Sequence, residues 1–248
     1  MYTQPATSLT PALIVYLIDA SHSMNDPCGD ITKIEVVNQA LRAAMKDMVR
    51  RSIRDTIVQP RYKIAIFVYS TEVIDVLDGI RTLPELMSVG TPRLGASGNT
   101  DTEAGFLAVE RLLQSHLKDF QDCPAPLVCH LTDALLTTGN PSPVVQRIQS
   151  MRVEDGPVLV ENVYVADRML RKPVRDWHKW GGVLKADQLQ DEYAKFLFNL
   201  SSPLPESYRQ NINNYGYTLQ SGAALFFPGA HGDLVRLAFA ISAATQLK

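Results

Sequence analysis

The chain has few cysteines, and their spacing fits neither a disulfide framework nor a zinc site. Three occur in 248 residues, at Cys28, Cys123 and Cys129, and an odd, sparse set of this kind is not typical of a small secreted domain. None has the Cys-x-x-Cys spacing of a structural zinc site. Cys123 and Cys129 could pair across the short loop between them, but a reducing compartment is the simpler interpretation. We therefore expect a cytoplasmic protein.

Long apolar runs and a strong net charge are also missing. No run approaches the roughly 20 apolar residues that span a bilayer, and residues 1–11 lack the basic and apolar regions of a secretory signal. The formal net charge is −2, so we expect neither a membrane nor a nucleic-acid partner. The chain has no nucleophile elbow, P-loop or dinucleotide-binding glycine motif.

What the sequence does contain is the pattern of a layered α/β domain. Apolar residues make up 46% of the chain, enough for a large core. Four short runs rich in β-branched and aromatic residues predict strands buried on both faces, as in a parallel sheet, near 12–18, 62–69, 126–131 and 159–165. Segment 72–77 alternates and follows the second run at once, which predicts an antiparallel strand at the sheet edge.

Helical patterns separate these runs. Thr32 and Glu35 have capping-box spacing and begin a predicted helix that extends to about Arg51. A second helix is predicted from Asp101, with Ala104, Ala108 and Leu112 on one face, and a third after Pro141. Alternating strands and helices predict a doubly wound fold, with a mostly parallel central sheet, one antiparallel edge strand and helices on both faces.

The final third of the chain carries further helical patterns, at 187–200, 205–213 and 233–247, with a short strand at 223–227. Because there is no repeat and no low-complexity linker, we predict a single domain over 1–248 with a helical, basic insertion at about 168–215. Its segment 168–185 holds six Lys or Arg and both tryptophans. Packing of these tryptophans onto the body is favoured over a partner interface.

Polar oxygen-bearing residues collect where two of the predicted strands end. The first strand ends in Asp-Ala-Ser-His-Ser at 19–23, and the third in Thr-Asp at 132–133, while Gly-Asn-Thr-Asp-Thr at 98–102 opens a helix. Ligands of open α/β sheets bind at the carboxyl ends of the strands. Hydroxyl and carboxylate oxygens brought together there would suit a hard cation such as Mg²⁺.

These three segments, in this order, resemble the von Willebrand factor type A family. In that family, Asp-x-Ser-x-Ser, a later Gly-x-Thr before a helix and an Asp after a later strand form the metal-ion-dependent adhesion site. The segment from Ala223 to Leu247, with a short strand, Phe-Pro-Gly and a helix, also resembles the family's end. The resemblance implies Mg²⁺, with Mn²⁺ or Ca²⁺ as substitutes, on five metal residues: Asp19, Ser21, Ser23, Thr100 and Asp133.

The chain departs from the family pattern at two positions, of which the one at His22 is variable in the family, and the hydroxyl residues also have purely structural explanations. His22 and Ala134 stand where glycine is common in the family. Turn and cap chemistry could account for the serines and the threonine, but it does not account for acids at two strand ends. For Asp26 and Asp30 we favour a solvated loop over a second cation site. His130, inside an apolar strand, is predicted to be a core histidine.

By resemblance, the function is protein binding rather than catalysis, so we expect no enzymatic activity. The family's hydroxyls usually bind the metal directly, its acids often act through water, and an open position takes an Asp or Glu of a partner. The intracellular and bacterial branch is the closer comparison, where such domains are adaptors beside AAA+ ATPases, kinases or phosphatases. The alternative is a metal-assisted hydrolase or phosphoryl-transfer enzyme with Asp19 as nucleophile or Asp133 as base. An extracellular adhesin is a third hypothesis.

Overall fold

The computed structural model describes residues 1–133, 139–166, 169–213, 216–229, 235 and 237–239. Its centre is a seven-stranded sheet. The strands are β1 (Ala12–Asp19), β2 (Tyr62–Tyr69), β3 (Val73–Asp75), β4 (Arg81–Thr82), β5 (Leu127–Thr132), β6 (Leu159–Tyr164) and β7 (Phe226–Pro228).

The sheet has the order β7-β6-β5-β1-β2-β3, and β4 also pairs with β2. Strands β1, β2, β5, β6 and β7 run parallel, whereas β3 and β4 run antiparallel to β2 at the edge. The predicted mostly parallel sheet with an antiparallel edge is confirmed. All eight residues of β1 are buried, which matches its central place and its unbroken apolar sequence.

Six α-helices surround the sheet in the described ranges: α1 (Lys33–Ser52), α2 (Leu83–Val89), α3 (Thr102–His116), α4 (Ser142–Ser150), α5 (Glu192–Leu200) and α6 (Glu206–Asn213). Alternate residues of β1 enter two separate apolar cores. Tyr16 belongs to the core that also contains residues of α1 and α5, and Leu17 belongs to the core that contains residues of α3 and α4. Every helix of the described residues is too short or too polar to cross a bilayer.

The buried face of α3 is not centred on its alanines. Ala104, Ala108 and Leu112 are half-buried, and the buried positions lie one residue further on, among them Gly105 and Val109. The reason is a close approach to the sheet: a Cβ at Gly105 would lie 3.0 Å from the Tyr69 ring. The helix therefore turns its smallest residue, rather than its alanines, towards β2.

The described part of the insertion packs on the sheet. The Ser202 amide, just after α5, donates to the Val160 carbonyl at 2.8 Å, and the Trp180 ring packs edge-on against Phe227 with centroids 5.9 Å apart. Trp180 is thus buried against the body, as predicted for the tryptophans. The single-domain boundary over 1–248 stays a prediction.

The chain's last predicted helix falls mostly outside the described residues; of 233–247, positions 235 and 237–239 are described and helical. The position of Ala134 also lies outside them. All three cysteines lie in described segments, and none forms a disulfide. Cys129 is completely buried in β5, as its apolar surroundings in the sequence indicate.

Candidate metal centre

Asp19, the last residue of β1, ties the loop that follows it to the neighbouring strand. One carboxylate oxygen accepts the backbone N–H of Ser21 at 2.8 Å, and the other accepts the Thr132 hydroxyl of β5 at 2.7 Å. The Asp19 side chain is completely buried. A buried carboxylate is stable only with such partners, so the residue fixes where the serines of the loop lie.

The two serines continue this chain of hydrogen bonds to the end of β5. The Ser21 and Ser23 hydroxyl oxygens lie 3.1 Å apart, and the Ser23 hydroxyl donates to Asp133 Oδ1 at 2.8 Å. Four of the five predicted metal residues are therefore joined directly, and we call Asp19, Ser21, Ser23 and Asp133 the serine-loop cluster. Their arrangement follows from β1 and β5 being parallel neighbours whose carboxyl ends meet at one edge.

Thr100 lies in a loop that is fastened beside the serine-loop cluster. In this loop the Ser97 N–H donates to the Ala20 carbonyl at 2.7 Å, and the Gly98 carbonyl accepts the His22 N–H at 3.0 Å. Gly98 has φ +80°, and a Cβ there would lie 2.7 Å from Thr71 Oγ1, which explains the glycine two residues before the threonine. Thr100 itself is 4% exposed, and its role as a ligand stays a prediction.

Lys33, the first residue of α1, brings a cation to the cluster that the sequence reasoning did not anticipate. Its ammonium nitrogen lies 2.6 Å from Asp133 Oδ2 and 3.6 Å from Asp26 Oδ2. The Asp133 side chain has no exposed surface, whereas that of Asp26 is 61% exposed. Asp26, predicted to be in a solvated loop, is exposed but takes part in this ion pair.

The electrostatics of the site centre on Asp19. Burial raises the pKa of this carboxyl, hydrogen bonds from Ser21 and Thr132 oppose the shift, and the Asp133 charge adds to it. The pKa of the Tyr69 and Tyr193 phenols is also raised, mainly by burial and in second place by the negative charge of Asp19. Tyr193 belongs to α5, so the insertion contributes to the surroundings of Asp19. A cation placed at this cluster would offset the cost of keeping Asp19 charged.

A second polar cluster centres on His130, two residues before the end of β5. Both ring nitrogens of His130 are hydrogen-bonded. Nε2 lies 2.8 Å from Tyr69 Oη, and Nδ1 lies 2.8 Å from Asn162 Oδ1. The Asn162 amide in turn donates to Ser201 Oγ at 3.0 Å. Burial lowers the pKa of His130 to about 4. We call these four residues the histidine cluster; the prediction that His130 is a core histidine is confirmed.

The donor set of the serine-loop cluster fits a hard divalent cation. It consists of hydroxyl and carboxylate oxygens with no nitrogen or sulfur, the set that Mg²⁺ prefers. An ammonium cation already lies against one of its carboxylates. Across the described residues, no group of three or more His, Cys, Asp or Glu is placed to hold a metal. A site here must therefore rest on hydroxyls together with two acids.

Comparison with known proteins yields matches among solved structures. No family model matches the chain, and no curated protein matches it. The pilus adhesin SpaC from Lactobacillus rhamnosus GG aligns over 96% of this chain with a TM-score of 0.59 and 10% identity. The von Willebrand A domain of SpRpn10 aligns over 63% of this chain with a TM-score of 0.46 and 12% identity. Manganese-loaded TRAP of Plasmodium vivax aligns over 87% of this chain with a TM-score of 0.44 and 14% identity.

The chain has a von Willebrand factor type A-like fold. At these identities the likeness concerns the fold alone. This chain spans 31% of the SpaC chain, 76% of the Rpn10 domain and 70% of the TRAP chain. In this type A-like fold, the serine-loop cluster lies at the carboxyl end of the central strand β1, where the sequence resemblance places the family's adhesion site.

Proposed function

We propose that the chain is a protein-binding module that depends on a divalent cation. The observation that carries the proposal is the unbroken chain of hydrogen bonds from Asp19 through Ser21 and Ser23 to Asp133. It brings residues from two strand ends to one place and turns their oxygens towards one another. Cap or turn chemistry would satisfy each residue locally and would not need a link across 110 residues of sequence.

Each side chain has a distinct task in this proposal. The hydroxyls of Ser21, Ser23 and Thr100 would contact Mg²⁺ directly, and the carboxylates of Asp19 and Asp133 would act through water. Because three neutral ligands leave much of the charge uncompensated, the bound ion supplies an open coordination position that attracts a carboxylate. The partner is therefore a protein that presents Asp or Glu. Mn²⁺ and Ca²⁺ are expected to substitute.

The hydrogen bonding of the two acids favours binding over catalysis. Both oxygens of Asp19 accept short hydrogen bonds in a completely buried position, which suits a residue that holds a loop better than one that attacks a substrate. Asp133 is engaged by Ser23 and Lys33. We therefore propose a non-enzymatic role, as an adaptor in a cytoplasmic assembly of the kind that includes an AAA+ ATPase, a kinase or a phosphatase.

Affinity capture in three conditions tests this function. The wild-type protein is used as bait with Mg²⁺ and with EDTA, and Asp19→Ala is used with Mg²⁺. Asp47→Ala, which removes an exposed acid of α1 far along the helix, is the matched control. We expect a partner retained by wild type and Asp47→Ala in Mg²⁺, and lost in EDTA and with Asp19→Ala. Mg²⁺-dependent hydrolysis of a generic phosphate ester that Asp19→Ala abolishes would instead favour the hydrolase alternative.

A further inference from the structure

We infer that Lys33 controls access of the cation to this site: its ammonium holds Asp133 in the metal-free protein and shifts to Asp26 when a divalent cation binds. The inference rests on the proposed metal-binding function and adds a competitor within the chain itself. It assigns roles to two residues, Lys33 and Asp26, that lie outside the predicted ligand set.

The position of Lys33 makes a direct competition unavoidable. Asp133 gives one oxygen to the Ser23 hydroxyl at 2.8 Å and the other to the Lys33 ammonium at 2.6 Å. A cation held by Ser23 and Asp133 would lie within a few ångströms of that ammonium. Two positive charges at such a distance repel strongly where side chains are shielded from water. The Asp133 side chain has no exposed surface and that of Lys33 is 18% exposed.

The backbone around Lys33 is fixed, so relief must come from its side chain. The Lys33 N–H donates to the Asp26 carbonyl at 3.1 Å, and Thr32 caps α1 by accepting the Glu35 N–H. The helix start therefore cannot withdraw from the loop without breaking the Lys33–Asp26 backbone hydrogen bond. The four-carbon stem of lysine can instead rotate, because its length and single-bond torsions allow several orientations from one anchored Cα.

Asp26 provides the second position for the ammonium. Its carboxylate lies 3.6 Å from Lys33 Nζ and is 61% exposed, so it is near enough to accept the full ion pair and is already solvated on its other side. Moving the ammonium from Asp133 to Asp26 would free one Asp133 oxygen for the metal's hydration shell. The same movement keeps the lysine paired, which lowers the cost of the exchange.

A lysine that merely stabilises the fold would leave cation affinity unchanged or lower it on removal; a competitor gives the opposite result. Isothermal titration with Mn²⁺ and Mg²⁺ compares wild type with Lys33→Met, and Lys46→Met on the exposed side of the same helix is the control. We expect Lys33→Met to bind each ion roughly tenfold or more tightly, the size of effect that a charge a few ångströms away has on a carboxylate site. Lys46→Met should match wild type.

Melting curves and a surface variant complete the test. In EDTA, Lys33→Met should melt below wild type, because the buried Asp133 loses its one cationic partner in the described residues, and Mg²⁺ should restore the loss. Asp26→Asn should weaken metal binding in the wild-type background and weaken it less in Lys33→Met. Unchanged or weaker binding by Lys33→Met, with Asp19-dependent binding intact in wild type, would overturn the inference alone. Absence of binding in every protein would overturn the proposed metal site as well.

Discussion

Strand β5 carries His130 of one polar cluster and leads directly into Asp133 of the other, and the two clusters differ in charge. The histidine cluster around His130 contains neutral groups, each matched to a neutral partner within the protein. The serine-loop cluster, reached by Thr132 and Asp133, contains two carboxylates beside one ammonium. Burial alone therefore does not identify a binding site. What distinguishes the second cluster is unbalanced charge at the end of a strand, beside a loop.

The contrast follows from where each residue stands along its strand. Positions within a parallel strand face helices on both sides, so a polar side chain there must find its partners in the protein, as His130 does with Tyr69 and Asn162. A residue at the strand's carboxyl end adjoins a loop instead. Asp133 can therefore exchange one partner for another, which is the property that a reversible cation site needs.

The largest effect that separates the two clusters is expected from pH. His130 has a native pKa of about 4 against an unfolded value near 6.5, so its contribution to stability is complete above about pH 6.5. This contribution is lost progressively as the pH falls from 6.5 through 4, because over this range the unfolded chain binds a proton at His130 that the native protein does not. We expect wild type to lose about 3 kcal/mol from this residue over that range.

His130→Gln is the variant that isolates this contribution, since glutamine does not titrate. Urea unfolding at pH 7, 5.5 and 4 should show a lower free energy of unfolding for His130→Gln at pH 7 and a shallower decline towards pH 4. Its Mg²⁺ affinity at pH 7 should equal that of wild type. A decline as steep as that of wild type, or a loss of Mg²⁺ binding, would show that the two clusters are not independent.

A smaller effect on stability is expected from Ser23→Ala. The Ser23 hydroxyl lies between Ser21 and Asp133 on the partly exposed side of its cluster, so its loss should cost under about 1 kcal/mol of unfolding free energy. Cation affinity should fall at least roughly tenfold, because one direct ligand disappears. Ser115→Ala, which removes an exposed hydroxyl bonded to its own helix, is the control. Wild-type affinity in Ser23→Ala would remove this residue from the ligand set.

Much of the fold could be predicted from the sequence because its strands are central and buried. The runs near 12–18 and 62–69 are continuous and apolar, and they form β1 and β2 at almost the predicted limits. The helix at Leu83–Val89 was missed, although Thr82 and Glu85 have capping-box spacing and form that box. Its seven residues are too short to show an apolar period, so the cap was the available signal.

The site was predictable in part, for a related reason. The Asp-x-Ser-x-Ser loop is local, so the hydrogen bond from the Ser21 N–H to the Asp19 carboxylate can be inferred from spacing. The contact of Lys33 with Asp133 joins residues 100 positions apart, and it depends on how the start of α1 is placed against the end of β5. Nothing near Lys33 in the sequence indicates this partner, which tertiary packing alone creates.

The measurement that tests the account most directly is titration of Mg²⁺ into wild type and Asp19→Ala, with melting curves of both in EDTA. The account predicts one bound ion in wild type, no detectable binding in Asp19→Ala, and melting temperatures within about 5 °C of each other, because the charged Asp19 is costly to bury without a cation. Equal Mg²⁺ affinity in the two proteins, with both folded, would contradict it.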